Sequence, residues 1–143
     1  GIRFWGNYSN TVDPSLGTNK KLMDAFLKGR AAISNKYMEG KEEAIPVIRE
    51  NWELISAGAA IHYLNGAKQN FADDALRNHQ LSEGVAFIKA LKYNPTKKIT
   101  DAQLQQVLNF IGTNFYEVTI QNLDEAKNLL STIYNLDSVK DNL

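Results

Sequence analysis

The sequence predicts an all-α, antiparallel helical bundle of about five helices with an irregular N-terminal arm. Apolar residues recur at intervals of three and four along most of the chain, which is the spacing of a helix with one buried face. Two segments begin with a helix-capping pattern of polar residues. The single segment of strand-like composition has no second segment with which to pair. Short loops separate the predicted helices, and this favours antiparallel neighbours.

The composition is that of one globular domain with a hydrophobic core. Of the 143 residues, 43% are hydrophobic and 22% are charged, which argues against disorder. Sixteen basic residues balance sixteen acidic ones, so we expect no nucleic-acid partner. There is no Cys, which excludes disulfides and thiolate metal ligands. No apolar run approaches the roughly 18 residues of a membrane-spanning helix. Because the chain begins with Gly1 rather than Met, we expect it to be part of a longer protein.

Residues 1–17 mix aromatic side chains with Gly, Asn, Ser and Pro, which predicts an irregular arm rather than a helix. We expect the arm to dock on the helical bundle of residues 18–143 through its large aromatic side chains, because such side chains are rarely left in water. These are Phe4, Trp5 and Tyr8.

The first helix is predicted from Thr18 to Lys36, with one inner stripe formed by Leu22, Met23, Phe26, Leu27, Arg30 and Ile33. Gly40 is predicted to supply the next turn. The second helix is predicted from about Glu42 to Ala67, with Pro46 in its first turn, where a missing N–H costs nothing. The small residues 57–60 predict that another helix approaches closely. Glu50 and Glu53, on either side of Trp52, are predicted to be exposed.

Residues 73–92 are the most regularly patterned stretch and predict the central helix. Its first residues, Asp73 and Asp74, are predicted to cap the helix N-terminus, where their negative charge meets the positive end of the helix dipole. Asn94-Pro95 ends it.

Two further helices are predicted from capping boxes. Thr100–Gln103 opens the first, which ends at Gly112. Asn122–Glu125 opens the second, which reaches about Asn135. Residues 113–121 are interpreted as a connector between them.

The candidate functional residues are Arg77, His79 and Glu83 on the central helix. His79 and Glu83 are four residues apart and therefore lie on one helix face, where an imidazole and a carboxylate are able to hold a metal ion or transfer a proton. His62 lies near the end of the preceding helix, which places it at nearly the level of His79 in an antiparallel pair. We therefore predict a site for a divalent metal ion at His79, Glu83 and His62. The alternative is a structural His–Glu pair with no ligand.

Five stretches resemble a bacterial family of exported lipoproteins that contain the domain of unknown function 4856. They are FWGNYSN (4–10), LGTNKKLMDAFLKGRAAI (16–33), AAIHYLN (59–65), DDALRNHQLSEGVAFIKALKYNP (73–95) and NFYEVT (114–119). Members of that family are longer, so the resemblance implies a C-terminal half. It also implies a partner, the missing N-terminal half of the same protein, which would carry the lipid-attachment motif and a further helix with a His followed by an acidic residue.

The family is similar in architecture to the imelysin group of periplasmic helical proteins, which are linked to iron acquisition. The resemblance therefore implies a cell-envelope binding protein with a role in iron or haem acquisition. The motif of that group is Gly-x-His-x-x-Glu, whereas here Arg77 stands two residues before His79 and Glu83 stands four after it. The alternatives are a metal-dependent hydrolase using His79 and Glu83, or a purely structural interaction domain.

Overall fold

A computed structural model describes residues 3–143. In this range the predicted all-α bundle is confirmed, since 78% of the structure is helical and no strand is present. The helices are α1 (Trp5–Leu16), α2 (Thr18–Ser34), α3 (Met38–Gln69), α4 (Asp74–Ala90), α5 (Asp101–Ile111) and α6 (Ile120–Tyr134), with short 3₁₀ turns at Leu91–Tyr93 and Lys140–Asn142. None of the helices within residues 3–143 is both long and apolar enough to cross a membrane.

The 32-residue helix α3 is the spine of the fold. At 1.5 Å per residue it is about 48 Å long, and it contacts α1, α2, α4 and α6. Gly29 of α2 lies beside Ala44, and Gly84 of α4 lies beside Ala60. Helix α2 therefore runs antiparallel to the first half of α3, and α4 runs antiparallel to the second half. Because α1 and α6 also pack on the second half, the main core lies there.

The small residues of α3 admit close helix packing, as the sequence predicts. Ala57, Ala59 and Ala60 are at most 1% exposed. A Cβ atom added to Gly58 would lie 2.8 Å from Cδ1 of Leu16, so the Leu16 side chain would have to move. The absence of a larger side chain at these positions thus allows α1 and α4 to approach the α3 backbone. The largest fully buried side chains of this core include Ile61, Leu64, Leu81, Ile88 and Leu130.

The prediction of an irregular arm over residues 1–17 is wrong for most of that range, because residues 5–16 form helix α1. Local propensity is poor there, since Pro14 stands inside the helix and Asn and Ser are frequent. Packing outweighs propensity in a short helix. Val12 is 1% exposed and lies against α3, so burial on the spine stabilises a helix that its own sequence does not favour.

The predicted docking of the aromatic side chains on the bundle is confirmed for Trp5 and Tyr8 but not for Phe4. The ring of Trp5 lies 5.8 Å from that of Trp52 and 5.6 Å from that of Phe87. The ring of Tyr8 lies 4.5 Å from Phe87 in an edge-on arrangement, which is a favourable geometry for aromatic pairs. Phe4 contacts the rings of Trp5 and Tyr8 but is itself 62% exposed.

The start of α3 also differs from the prediction, because the helix begins at Met38 and includes both Gly40 and Pro46. The turn before it contains Lys36, whose φ is +57°. Gly40 is buried because Tyr37 packs directly over it, and an added Cβ would lie 2.5 Å from the tyrosine ring. Pro46 is the ninth residue of the helix rather than part of its first turn. Pro46 and Glu42 are both exposed, so water is available to the Glu42 carbonyl that loses its helical donor.

Side-chain caps define the later helices. Asp73 accepts hydrogen bonds from the backbone N–H groups of Ala75 and Leu76 at 3.0 Å, which confirms the predicted cap of α4. The capping box from Thr100 to Gln103 is also present.

The last capping box lies three residues earlier than predicted. Thr119 Oγ1 accepts from the N–H of Asn122, and Asn122 Oδ1 accepts in return from the N–H of Thr119. Asn122 thus performs the role that Gln or Glu usually performs at the third helical position, and a search for Glu or Gln overlooks it. The preceding connector contains no strand, as predicted, and α6 ends at Asn135 with φ +58°.

We expect Ala59→Leu to reduce the free energy of unfolding by about 1–3 kcal/mol, because the larger side chain overpacks a closed contact. Urea denaturation followed by circular dichroism measures this change. Ala86→Leu is the matched control on the exposed face of α4, and it is expected to change stability by less than about 0.5 kcal/mol. Equal effects of the two substitutions would show that the contact at Ala59 is loose.

Candidate functional site

The structure places the three predicted metal ligands on facing helices but at different levels. His79 is exposed, whereas His62 and Glu83 are half-buried. The contacts of Gly66 with Gln80, and of Gly84 with Ala60, fix the register of α3 against α4. This register sets His62 opposite Glu83 and sets His79 opposite the segment around Gly66. The two histidines are therefore about 6 Å apart along the helix axis. The structure differs here from the sequence-based prediction, which places them at nearly the same level.

Among residues 3–143, no three His, Cys, Asp or Glu side chains are arranged to hold a metal ion. Protein zinc sites use three or four such ligands, so His79, Glu83 and His62 do not form a complete site in this conformation. The register places His62 and Glu83 at one level along the two helices. A metal at these residues stays a prediction.

The half-buried environment of Glu83 includes the phenol of Tyr63. The hydroxyl groups of Tyr63 and Tyr8 are 2.9 Å apart. Burial raises the pKa of Tyr63, and the hydrogen bond with Tyr8 and the negative charge of Glu83 raise the pKa further. Tyr63 is thus held neutral between α1 and α4, and it joins these two helices to the spine.

Arg77, the third residue of the predicted group, is buried and has structural partners. Its guanidinium donates to the carbonyl of Phe71 at 2.6 Å and forms an ion pair with Asp74 at 2.7 Å. It also lies 5.1 Å from the centre of the Phe71 ring, which is within the range of a cation–π contact. These contacts fasten the α3–α4 turn to the first turn of α4.

Glu53 was predicted to be exposed but is only 7% exposed. Its Oε1 accepts from the backbone N–H of Lys98 and from the hydroxyl of Tyr134, both at 2.7 Å. Its Oε2 accepts from the side-chain amide of Asn94 at 2.5 Å. Burial, followed by the hydrogen bond to Glu53, raises the pKa of Tyr134. One carboxylate therefore connects α3, the α4–α5 connection and the end of α6.

An aromatic pocket of about 430 Å³ lies on the side of Glu53 away from α6. We define it by four of its lining residues, Trp5, Trp52, Tyr93 and Arg49. Trp5 is 38% exposed and Tyr93 is 75% exposed, so the pocket is open to solvent. The sequence contains two Trp residues, and both of them line this pocket. The sequence around Trp5 predicts only docking on the bundle and carries no signal for the pocket.

Helix α2 exposes most of the stripe that the sequence predicts to face inward. Leu22 is buried, but five members of the stripe are exposed, namely Met23, Phe26, Leu27, Arg30 and Ile33. The face of α2 that packs on α3 consists instead of small residues with Leu22 and Thr18. The prediction was wrong about the inner face because small residues carry little weight in a hydrophobicity pattern, yet they are the ones that allow two helices to touch.

Comparison with protein families gives a match over residues 1–136 to the model of the domain of unknown function DUF4856. The chain belongs to the DUF4856 family. No curated protein matches it, and no solved structure matches it. Nearly the whole chain matches the DUF4856 model. The spine, the aromatic pocket and the exposed face of α2 therefore all lie within one family domain.

We expect Glu53→Gln to reduce the free energy of unfolding by about 1–3 kcal/mol, because one acceptor oxygen is replaced by an amide that faces existing donors. Guanidinium denaturation measures the change. Glu50→Gln makes the same chemical change at an exposed position of the same helix, and it is expected to stay within about 0.5 kcal/mol of wild type. If both variants unfold at the same denaturant concentration, the buried carboxylate does not stabilise the fold.

Proposed function

We propose that this DUF4856 chain is a non-catalytic binding domain of a cell-envelope protein. Its exposed face on α2 is proposed to pack against the polypeptide that precedes Gly1 in the full-length protein. The observation that supports this proposal is the double apolar stripe of α2, of which only one stripe has a partner among residues 3–143.

The two stripes of α2 differ in size and in exposure. The stripe against α3 is buried and contains Thr18, Leu22, Ala25, Gly29 and Ala32. The other stripe carries bulky side chains, and Met23 and Ile33 are each 59% exposed while Phe26 is 47% exposed. Single exposed apolar residues are common, but a continuous patch marks an interaction surface. The larger stripe is therefore the better candidate for an interface.

A groove of about 340 Å³ runs along this face between α2 and the first half of α3. Its floor is apolar and includes Ile45 and Ile48, while Arg30 and Lys41 stand at its edges. An amphipathic helix that places apolar residues in the groove would bury the face and complete a bundle around the first half of α3. The resemblance implies one more helix in the N-terminal half, which suits this role.

We expect Phe26→Ala to have different effects in the 143-residue chain and in a longer protein that includes the preceding sequence. In the short chain the ring is half exposed, so the free energy of unfolding is expected to fall by about 0.5 kcal/mol or less. In the longer protein a buried ring is lost, and the expected cost is about 3 kcal/mol. Chemical denaturation of both proteins measures the difference.

The matched control is Leu22→Ala on the buried stripe of the same helix. It is expected to destabilise both proteins by a similar amount, about 2–5 kcal/mol. Equal effects of Phe26→Ala in the two proteins would refute the proposed partner. A concentration-dependent dimer of the short chain that Phe26→Ala abolishes would assign the face to a second copy instead.

The more specific proposal, which the resemblance supports, is a lipid-anchored, imelysin-like protein of the periplasm or cell surface that takes part in iron or haem acquisition. Within the described chain its support is the register that sets His62 opposite Glu83, with His79 one turn away. Two nitrogen ligands and one carboxylate suit iron or zinc. The resemblance also implies a helix with a His in the N-terminal half, and this His would add a further ligand.

We expect Fe²⁺ or Zn²⁺ to raise the melting temperature of the wild-type protein more than that of His79→Ala. A ligand at 100 times its Kd stabilises the folded state by about 2.7 kcal/mol, which thermal melts under anaerobic conditions detect easily. Equal shifts for the two proteins would exclude the site. Metal-dependent cleavage of peptide or ester substrates, lost in Glu83→Gln, would support the alternative hydrolase.

A further inference from the structure

We infer that the aromatic pocket binds a small amphipathic anion, a molecule with a flat apolar ring system and a terminal carboxylate. The rings of Trp5 and Trp52 would contact the apolar part, and the guanidinium of Arg49 would bind the carboxylate. The inference concerns a different surface from the face of α2 and does not depend on the proposed function.

The pocket lies between the start of α1, the middle of α3 and the segment of residues 90–95 at the end of α4. Trp5 and Trp52 stand edge-on to each other with their ring centres 5.8 Å apart and their planes at 72°. Ile48 and Leu91 also line the cavity, and Leu91 is only 1% exposed, so it forms part of the floor. The volume of about 430 Å³ lies within the range of pockets that hold small organic molecules.

The lining predicts an apolar ligand body because its indole and aliphatic side chains offer broad contact surfaces. Indole rings are well suited to flat partners, since stacked and edge-on contacts both stabilise aromatic pairs. Trp52 is held in place by Trp5 on one side of the pocket, and Trp5 is held in turn by Phe87 at 5.6 Å. These contacts orient the two indoles before any ligand binds, which lowers the entropic cost of binding.

The polar groups of the pocket predict the charge of the ligand. Both carboxylate oxygens of Glu53 already accept hydrogen bonds from Asn94, Lys98 and Tyr134. Ser56 Oγ donates to the carbonyl of Phe87 at 3.1 Å. Arg49 differs, because within residues 3–143 its exposed guanidinium has neither an ion pair nor a hydrogen bond. A guanidinium is well suited to bidentate binding of a carboxylate.

This distribution disfavours two other ligand classes. A sugar needs several available donors and acceptors, and the inner polar groups of the pocket are already engaged by the fold. A quaternary ammonium ion suits a cage of aromatic rings, but here it would lie close to the positive charge of Arg49. The nearest negative charge, on Glu53, is already surrounded by three donors.

The test is a titration of the whole chain with three probes that share one ring system, namely 4-biphenylacetate, 2-(4-biphenyl)ethanol and 2-(4-biphenyl)ethylamine. Tryptophan fluorescence reports binding, because the two Trp residues of the chain both line the pocket, and calorimetry gives the Kd. The anion is expected to bind about tenfold more tightly than the alcohol, which is the value of one charge-assisted hydrogen bond. The amine is expected to bind most weakly.

Arg49→Gln is expected to remove the tenfold preference for the anion and to leave binding of the alcohol unchanged. The matched control is Arg30→Gln, another exposed arginine that lines the groove beside α2 and not the pocket, and it is expected to bind all three probes as wild type does. Circular dichroism confirms that each variant is folded. The inference is overturned if no probe saturates, if the amine binds as tightly as the anion, or if Arg49→Gln keeps the preference.

Discussion

The carboxylate of Glu53 is the point at which three separate parts of the chain are fixed to one another. It accepts hydrogen bonds from Asn94 and from the N–H of Lys98 in the α4–α5 connection, and from Tyr134 at the end of α6. A buried charge without partners would be strongly destabilising, so the three donors must all stay in place while the domain is folded. The position of α5 and α6 relative to the spine, and the inner wall of the aromatic pocket, depend on this arrangement.

Local signals in the sequence predicted much of the fold because helix caps involve residues close together in the chain. Asp73, Thr100 and Gln103 make the hydrogen bonds expected of them, and the all-α class follows from periodicity. Helix α1 was missed because its stability comes from packing of Val12 and the aromatic side chains on α3, and these contacts join residues far apart in the sequence. Glu53 was missed for the same reason, since its partners lie 41 to 81 residues away.

In the candidate sites too, local sequence patterns predict some features, whereas others depend on contacts between helices. Spacing along α4 correctly placed His79 and Glu83 on one helix, but the level of His62 depends on the contact of Gly66 with Gln80, which no pattern within one helix contains. The pattern of α2 identified a bulky apolar stripe correctly and assigned it to the wrong side. The side that faces α3 is fixed by Gly29 and Ala44, where the two backbones approach, and only the three-dimensional contact reveals the choice.

The division of α3 between two antiparallel neighbours has a consequence for how the domain opens. The second half of α3 is enclosed by α1, α4 and α6, whereas its first fourteen residues, up to Asn51, pack mainly on α2 and include only three buried residues, Gly40, Ala44 and Asn51. Segments with few buried contacts exchange their amide hydrogens through local opening rather than through global unfolding. The amides of α2 and of the start of α3 therefore belong to a less protected cooperative unit than the amides after Ile55. One continuous helix thus spans two regions of different local stability, and a partner bound on α2 would protect the weaker one.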